Sequence, residues 1–200
     1  MSRNLIAILR GVKPEEVLEI CRGLVEIGFT KIEVPLNSPN AYESISILSK
    51  NLPDTIMIGA GTVLTAEQVD EVKAAGGRLI VSPDCNTSVI DRTVEHGMES
   101  WPGVATATEA FTALRHGATG LKLFPGIALK PEGLGALKAV LPKDVAVYPV
   151  GGAGPSNFAE WVKAGAEGFG IGSALYKPGL TAEEVKARGQ DIIDAYDAVF

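Results

Sequence analysis

Alternating strand-like and helix-like segments along the chain predict an α/β fold, a (β/α)8 barrel, formed by a single domain over residues 1–200. Three observations carry that expectation. Short apolar runs recur at intervals of roughly 20 to 25 residues, as strands of repeated strand–helix units do. Between them lie segments with helical spacing of apolar residues, most of them opened by a capping signal or closed by a glycine. The polar residues able to do chemistry gather at the C-terminal ends of the runs, where such a barrel carries its function. An open doubly wound sheet is the rival, but it more often has a glycine-rich turn after its first strand. Here that strand ends in Arg10-Gly11.

The elements follow in order. The first run is 5–9, after which Lys13-Pro14 places proline in the first turn of a helix. Gly28 stops that helix and run 31–35 follows. Run 56–60 leads to Thr65 and Gln68, a capping-box pair. Gly76 and Gly97 stop helices ahead of runs 79–82 and 100–103. Thr106 with Glu109 opens the next helix, and Gly117 precedes run 120–124. Run 146–150 is the seventh. Gly165 precedes run 168–172, and Thr181 with Glu184 caps the last helix.

Composition narrows the function. Hydrophobic residues at 46% and charged residues at 21% fit a globular protein with a substantial core. A net charge of −6 argues against nucleic acid or an anionic membrane as the main partner, while a small anion in a locally positive pocket stays open. No run approaches the roughly 20 apolar residues of a membrane span. Met1-Ser2-Arg3-Asn4 leads directly into the first apolar run rather than into a signal sequence. Cys21 and Cys85 lie far apart without metal-type spacing, which suits a reducing compartment; the expected localisation is cytoplasmic.

The polar residues at the strand ends are Arg10, Glu33, Asn37, Thr62, Ser82, Thr106, Lys122 and Ser173. Lys122 stands inside Gly120-Leu121-Lys122-Leu123-Phe124-Pro125. Burial there disfavours the ammonium and lowers its pKa, leaving the neutral amine that Schiff-base chemistry needs. A buried stem with the head in water is the plainer alternative. Strand alternation turns Ile32, Val34, Leu121 and Leu123 toward the helices and Glu33 and Lys122 toward the interior. The two could form a structural ion pair, or a proton carrier beside a nucleophile. Desolvation makes a bare interior ion pair a poor stabiliser.

Two glycine-rich segments follow the last two strands: Val150-Gly151-Gly152-Ala153-Gly154-Pro155 and Gly170-Ile171-Gly172-Ser173-Ala174. Each is expected to open a helix, whose N–H groups would bind a phosphate. Tight turns that need glycine are the alternative. Gly59-Ala60-Gly61-Thr62-Val63 lets a ligand approach the third strand end, and Trp101 reads as core or interface packing. His96 and His116 fall at helix ends, and no carboxylate or histidine cluster has ligand spacing, so no metal is expected.

Several stretches together resemble a known family. They are Ala7-Ile8-Leu9-Arg10-Gly11, Ile32-Glu33-Val34-Pro35-Leu36-Asn37-Ser38-Pro39, Gly59-Ala60-Gly61-Thr62-Val63-Leu64, Val81-Ser82-Pro83 and Pro102-Gly103-Val104-Ala105-Thr106-Ala107-Thr108-Glu109. Leu121-Lys122-Leu123-Phe124-Pro125, Val150-Gly151-Gly152 and Gly172-Ser173-Ala174-Leu175 complete the set. In this order they resemble the bacterial 2-keto-3-deoxy-6-phosphogluconate aldolases and their 6-phosphogalactonate counterparts, over nearly the whole chain.

The resemblance implies a class I aldolase that splits a phosphorylated keto-deoxy sugar acid into pyruvate and glyceraldehyde 3-phosphate, without a metal or organic cofactor. It implies Lys122 as the Schiff-base lysine and Glu33 as the proton carrier. Thr62 would lie near the pyruvate carboxylate and Arg10 near the substrate. Gly151, Gly152, Gly172 and Ser173 would bind the phosphate. Asn37 and Val150 are similar to the galactonate type, where gluconate-type enzymes carry arginine and threonine. A homotrimer is implied as well. Trp101, Ile127 and Lys130-Pro131 depart from the family pattern and bear on the mouth of the pocket. Two rival functions remain from the residues alone: a non-covalent phosphate-binding isomerase or lyase, and a catalytically silent barrel used as an assembly unit.

Overall fold

The computed structural model describes residues 3–200, so Met1 and Ser2 of the N-terminal reading lie outside it. Strands and helices alternate. They are β1 (Leu5–Ile8), α1 (Pro14–Glu26), β2 (Lys31–Pro35), α2 (Ala41–Asn51), β3 (Met57–Gly61), α3 (Ala66–Ala74), β4 (Leu79–Val81) and α4 (Thr87–Glu95). Then come β5 (Glu99–Trp101), β6 (Gly103–Val104), α5 (Ala107–Arg115), β7 (Leu121–Leu123), α6 (Gly126–Lys138), β8 (Val147–Pro149), α7 (Phe158–Lys163), β9 (Phe169–Ile171) and α8 (Ala182–Asp197). Each expected strand is present within a residue or two.

All strand pairs are parallel. They form a six-stranded sheet, β5-β4-β3-β2-β1-β9, and a three-stranded sheet, β6-β7-β8. The ladder is therefore not one continuous ring. The expected fifth strand becomes two, because Pro102 has no N–H to donate. Its carbonyl still accepts the Lys122 N–H at 3.0 Å. Beyond β8 and β9, Val150 and Gly170 make an isolated parallel bridge.

The helix starts follow local chemistry. Thr106 with Glu109 and Thr181 with Glu184 form reciprocal capping boxes, each worth about 1 kcal/mol. At Thr65 only half of the expected box forms. Its hydroxyl accepts the Gln68 N–H, while the Gln68 side chain accepts from Leu64 N–H instead. Gly28, Gly76, Gly97, Gly117 and Gly165 all have positive φ where helices end.

Side chains divide by strand parity. Leu5, Ala7, Leu9, Ile32, Val34, Leu121 and Leu123 pack outward with helix residues such as Val17, Ile20 and Leu24. A smaller inner cluster is built from Ile6, Leu79, Val81, Trp101 and Tyr148. Each fully buried leucine or phenylalanine contributes about 1.5–3 kcal/mol, so the outer layer dominates stability. Among the described residues no helix is long and apolar enough to cross a membrane.

Candidate active site

Glu33 and Lys122 occupy the inner parity of β2 and β7 and are 2% and 6% exposed, so both have left bulk water. Gly61 makes room for the carboxylate, because a Cβ there would overlap the Glu33 side chain. The Gly61 N–H donates to that carboxylate, yet Glu33 Oε2 is buried without a hydrogen-bond partner. Burial pushes the Glu33 carboxyl up to about 7, against the opposing pull of Lys122, Arg10 and the Gly61 N–H. Burial likewise pushes the Lys122 ammonium below the ordinary lysine range, opposed by Glu33, helped by Arg10 and opposed by Asp84. For both groups desolvation by burial is the largest influence and works against the charged form, while their mutual attraction opposes it. Lys122 Nζ lies 4.4 Å from the Phe124 ring centroid.

Arg10 gathers the residues of the first three strand ends. Its guanidinium donates to Asn37 Oδ1 at 2.6 Å and to Thr62 Oγ1 at 3.3 Å. Thr62 has φ +57°, a conformation that costs a β-branched residue about 1–3 kcal/mol. Its strained backbone sits directly after Gly61, beside Glu33.

A cavity of about 520 Å³ opens next to this cluster. Arg10, Phe124, Val150, Gly151, Gly152, Gly172 and Ser173 border it, so the structure brings together the predicted residues of the first, seventh and eighth strand ends. Gly151 and Gly152 have φ of +82° and +93°, which a side chain would strain, and Gly152 faces Ile127 closely. The expectation that the glycine segments open helices is corrected. They form turns, and α7 and α8 begin only at Phe158 and Ala182. After Gly172 the chain makes one tight turn, in which Leu175 and Tyr176 N–H both donate to the Gly172 carbonyl.

The other polar strand-end residues do not join this site. Thr106 is spent on capping α5. Ser82 is buried, and its N–H donates to the Trp101 carbonyl. His96 and His116 sit at helix C-caps and bond Asp70 and Asp91 of the preceding helices. Trp101 packs on Tyr148 inside the ring and does not border the cavity. Ile127 is exposed beside Gly152 at the cavity mouth. Lys130 interrupts α6 with φ +57°. Sequence reasoning passed over Asp84, Tyr176 and Lys177. Asp84 lies on the loop pressed against Gly103, and Tyr176 and Lys177 border the cavity. Being polar and just past a strand end was the only signal for them. Among the described residues no cluster of His, Cys, Asp and Glu is arranged to hold a metal ion.

The family model for KDPG and KHG aldolase matches residues 1–192. The chain belongs to this family. A probable 2-dehydro-3-deoxy-6-phosphogalactonate aldolase of Rhizobium meliloti (strain 1021) is 49% identical over 200 residues, covering all of this chain and 94% of the relative. The 2-dehydro-3-deoxy-6-phosphogalactonate aldolase of Escherichia coli (strain K12) is 48% identical, covering 96% of this chain and 94% of the relative. Among solved KDPG and KHG aldolase-family folds, a native KDPGal structure superposes with a TM-score of 0.97 at 46% identity, over all of this chain and 97% of that one.

Proposed function

We propose that this protein is a class I aldolase that cleaves 2-keto-3-deoxy-6-phosphogalactonate to pyruvate and glyceraldehyde 3-phosphate through a Schiff base on Lys122. The observation that carries it is a buried lysine whose ammonium is disfavoured, next to a buried glutamate that keeps its proton near neutral pH. Neutral Lys122 attacks the 2-keto carbon, and the carbinolamine loses water to give an iminium. The bond between carbons 3 and 4 then breaks. Its electrons pass into the iminium as the 4-hydroxyl loses its proton, and the aldehyde leaves. The enamine takes a proton at its terminal carbon, and hydrolysis releases pyruvate. Protonated Glu33 gives its proton to the departing carbinolamine hydroxyl, and the resulting carboxylate takes the 4-hydroxyl proton and passes it to the enamine carbon. An orphaned Oε2 leaves one oxygen of that carboxyl available for substrate or water.

Thr62, Asn37 and Arg10 suit the keto-acid end, since one hydrogen-bonded cluster holds them beside Glu33. Gly151, Gly152, Gly172 and Ser173 suit the phosphate, because all four border the cavity and the left-handed Gly151 and Gly152 present backbone there without side chains in the way. Val150 lies between the two ends, near the 4-hydroxyl. The two ladders are read as arcs of one (β/α)8 barrel over a single domain, 1–200. The Val150–Gly170 bridge and the lone proline between β5 and β6 support that reading. The assembly is read as a homotrimer from the family resemblance, and the localisation as cytoplasmic from two distant cysteines that suit a reducing compartment. Borohydride reduction with pyruvate is the deciding experiment: a mass gain at Lys122 is expected. An unmodified Lys122 in an active enzyme points instead to a non-covalent lyase or isomerase, and inactivity toward every phosphorylated keto acid to a silent barrel.

A further inference from the structure

Resting on the phosphate reading above, we infer that Lys177 is a second substrate-binding cation, which neutralises the substrate's phosphate at the glycine wall. Charge distribution around the cavity carries the argument. Arg10 and Lys177 are the charged residues that border it. Arg10 is anchored toward the first three strand ends, because its Nη1 donates to both Asn37 and Thr62 on the loops after β2 and β3. Its charge is felt at Glu33 and Lys122, at the keto-acid end. A phosphate on Gly151, Gly152 and Ser173 would thus meet N–H groups and a hydroxyl, while Arg10 is held by Asn37 and Thr62. A phosphate ester carries nearly two negative charges at neutral pH. Lys177, on the loop after β9, supplies the missing charge.

The loop is built to hold it there. Tyr176 is buried, and its hydroxyl donates to Glu16 Oε1 at 2.9 Å on α1. Pro178 lies so close to Gly11 that a Cβ on that glycine would stand 2.7 Å from its ring. Both neighbours of Lys177 are therefore pinned to the segment that follows Arg10. The ammonium itself is exposed, and among the described residues no carboxylate or carbonyl engages it. A cation with fixed backbone and a free head, four residues past Ser173, has the reach and the idle charge for the task.

The test measures aldol addition of pyruvate to glyceraldehyde 3-phosphate and to unphosphorylated glyceraldehyde, in wild type, Lys177→Gln and Lys177→Arg. Lys177→Gln is expected to raise KM for the phosphorylated acceptor roughly 10- to 100-fold, the range for a lost charge-assisted hydrogen bond. The kcat/KM ratio of phosphorylated over unphosphorylated acceptor should fall by the same factor. Inhibition by inorganic phosphate should weaken in parallel, and Lys177→Arg should restore both. An unchanged acceptor ratio in Lys177→Gln overturns the role of Lys177 while leaving the glycine-wall reading in place. A wild type that does not prefer the phosphorylated acceptor overturns that reading, and this inference with it.

Discussion

Two lysine–glutamate pairs lie on the inward-facing parity of these strands, and they behave in opposite ways. Lys31 and Glu99, the first residues of β2 and β5, close the N-terminal end. Lys31 Nζ donates to both Glu99 oxygens, at 2.9 and 2.7 Å, and Trp101 Nε1 adds a third bond at 2.9 Å. Both side chains keep about a fifth of their surface in water. Glu33 and Lys122 lie deeper, next to the cavity. Glu33 keeps an orphaned oxygen, and burial disfavours the charged form of both groups. Half-solvated charges with a full set of partners make a structural pair. The same residue types without water and without full pairing are pushed by burial toward their neutral forms, the forms that the proposed reaction needs.

The sharpest break is to remove each lysine in turn. Lys122→Ala should cost several orders of magnitude in cleavage with the fold intact, because the covalent route is lost. Lys31→Met should leave turnover near wild type and cost about 1–3 kcal/mol of stability, since Glu99 loses its charged donor. Steady-state cleavage assays and urea unfolding on both variants check this. Near-normal turnover in Lys122→Ala would falsify the Schiff-base role.

Glu33→Gln probes the carboxyl half. It should still form the imine with pyruvate but exchange the methyl protons about 10²- to 10⁴-fold more slowly. Deuterium exchange into pyruvate, followed by NMR, reads this directly. An unchanged exchange rate reassigns the proton carrier.

The next effect is stereochemical. Val150 cannot hydrogen-bond the 4-hydroxyl, and apolar contacts discriminate by only about 1–3 kcal/mol. The protein should prefer the galactonate-type substrate incompletely, and Val150→Thr should move the kcat/KM ratio toward the gluconate epimer. Rates on both epimers decide it. A strong wild-type preference for the gluconate epimer sinks the assignment.

The smallest effect is on stability against pH. Glu33 has a raised folded pKa, so the folded state binds its proton more tightly than the unfolded chain does. That contribution is present below the ordinary glutamate value and is lost as pH rises through about 7. Urea midpoints should therefore fall more between pH 5 and pH 8 for wild type than for Glu33→Gln. Equal slopes would mean that Glu33 is ionised in the folded state across the range.

The strands were legible because their signal is local. Apolar runs and period-two alternation mark both the elements and the inward parity of Glu33 and Lys122. The capping boxes at Thr106 and Thr181 are equally local, needing only residues three apart. Thr65 shows the limit. The same spacing is present, but the Gln68 side chain turned to Leu64, a choice between two nearby donors that spacing does not encode. The glycine segments show another. Their composition predicts helix openings directly after the last two strands, whereas they form turns, because where the following helices begin depends on how the intervening loops pack.

The sequence by itself determined the order of strands and helices, which residues face inward, and that Lys122 shares the interior with Glu33. Only the tertiary structure decided what those residues became. Burial pushes the Glu33 carboxyl up and the Lys122 ammonium down, because desolvation depends on everything packed around a group. Contacts between distant loops turned Arg10 toward Asn37 and Thr62, pinned Lys177 between Tyr176 and Pro178, and gave Lys31 the partners that Lys122 lacks. Periodicity is a property of neighbours in the chain, whereas charge state and reach are properties of neighbours in space.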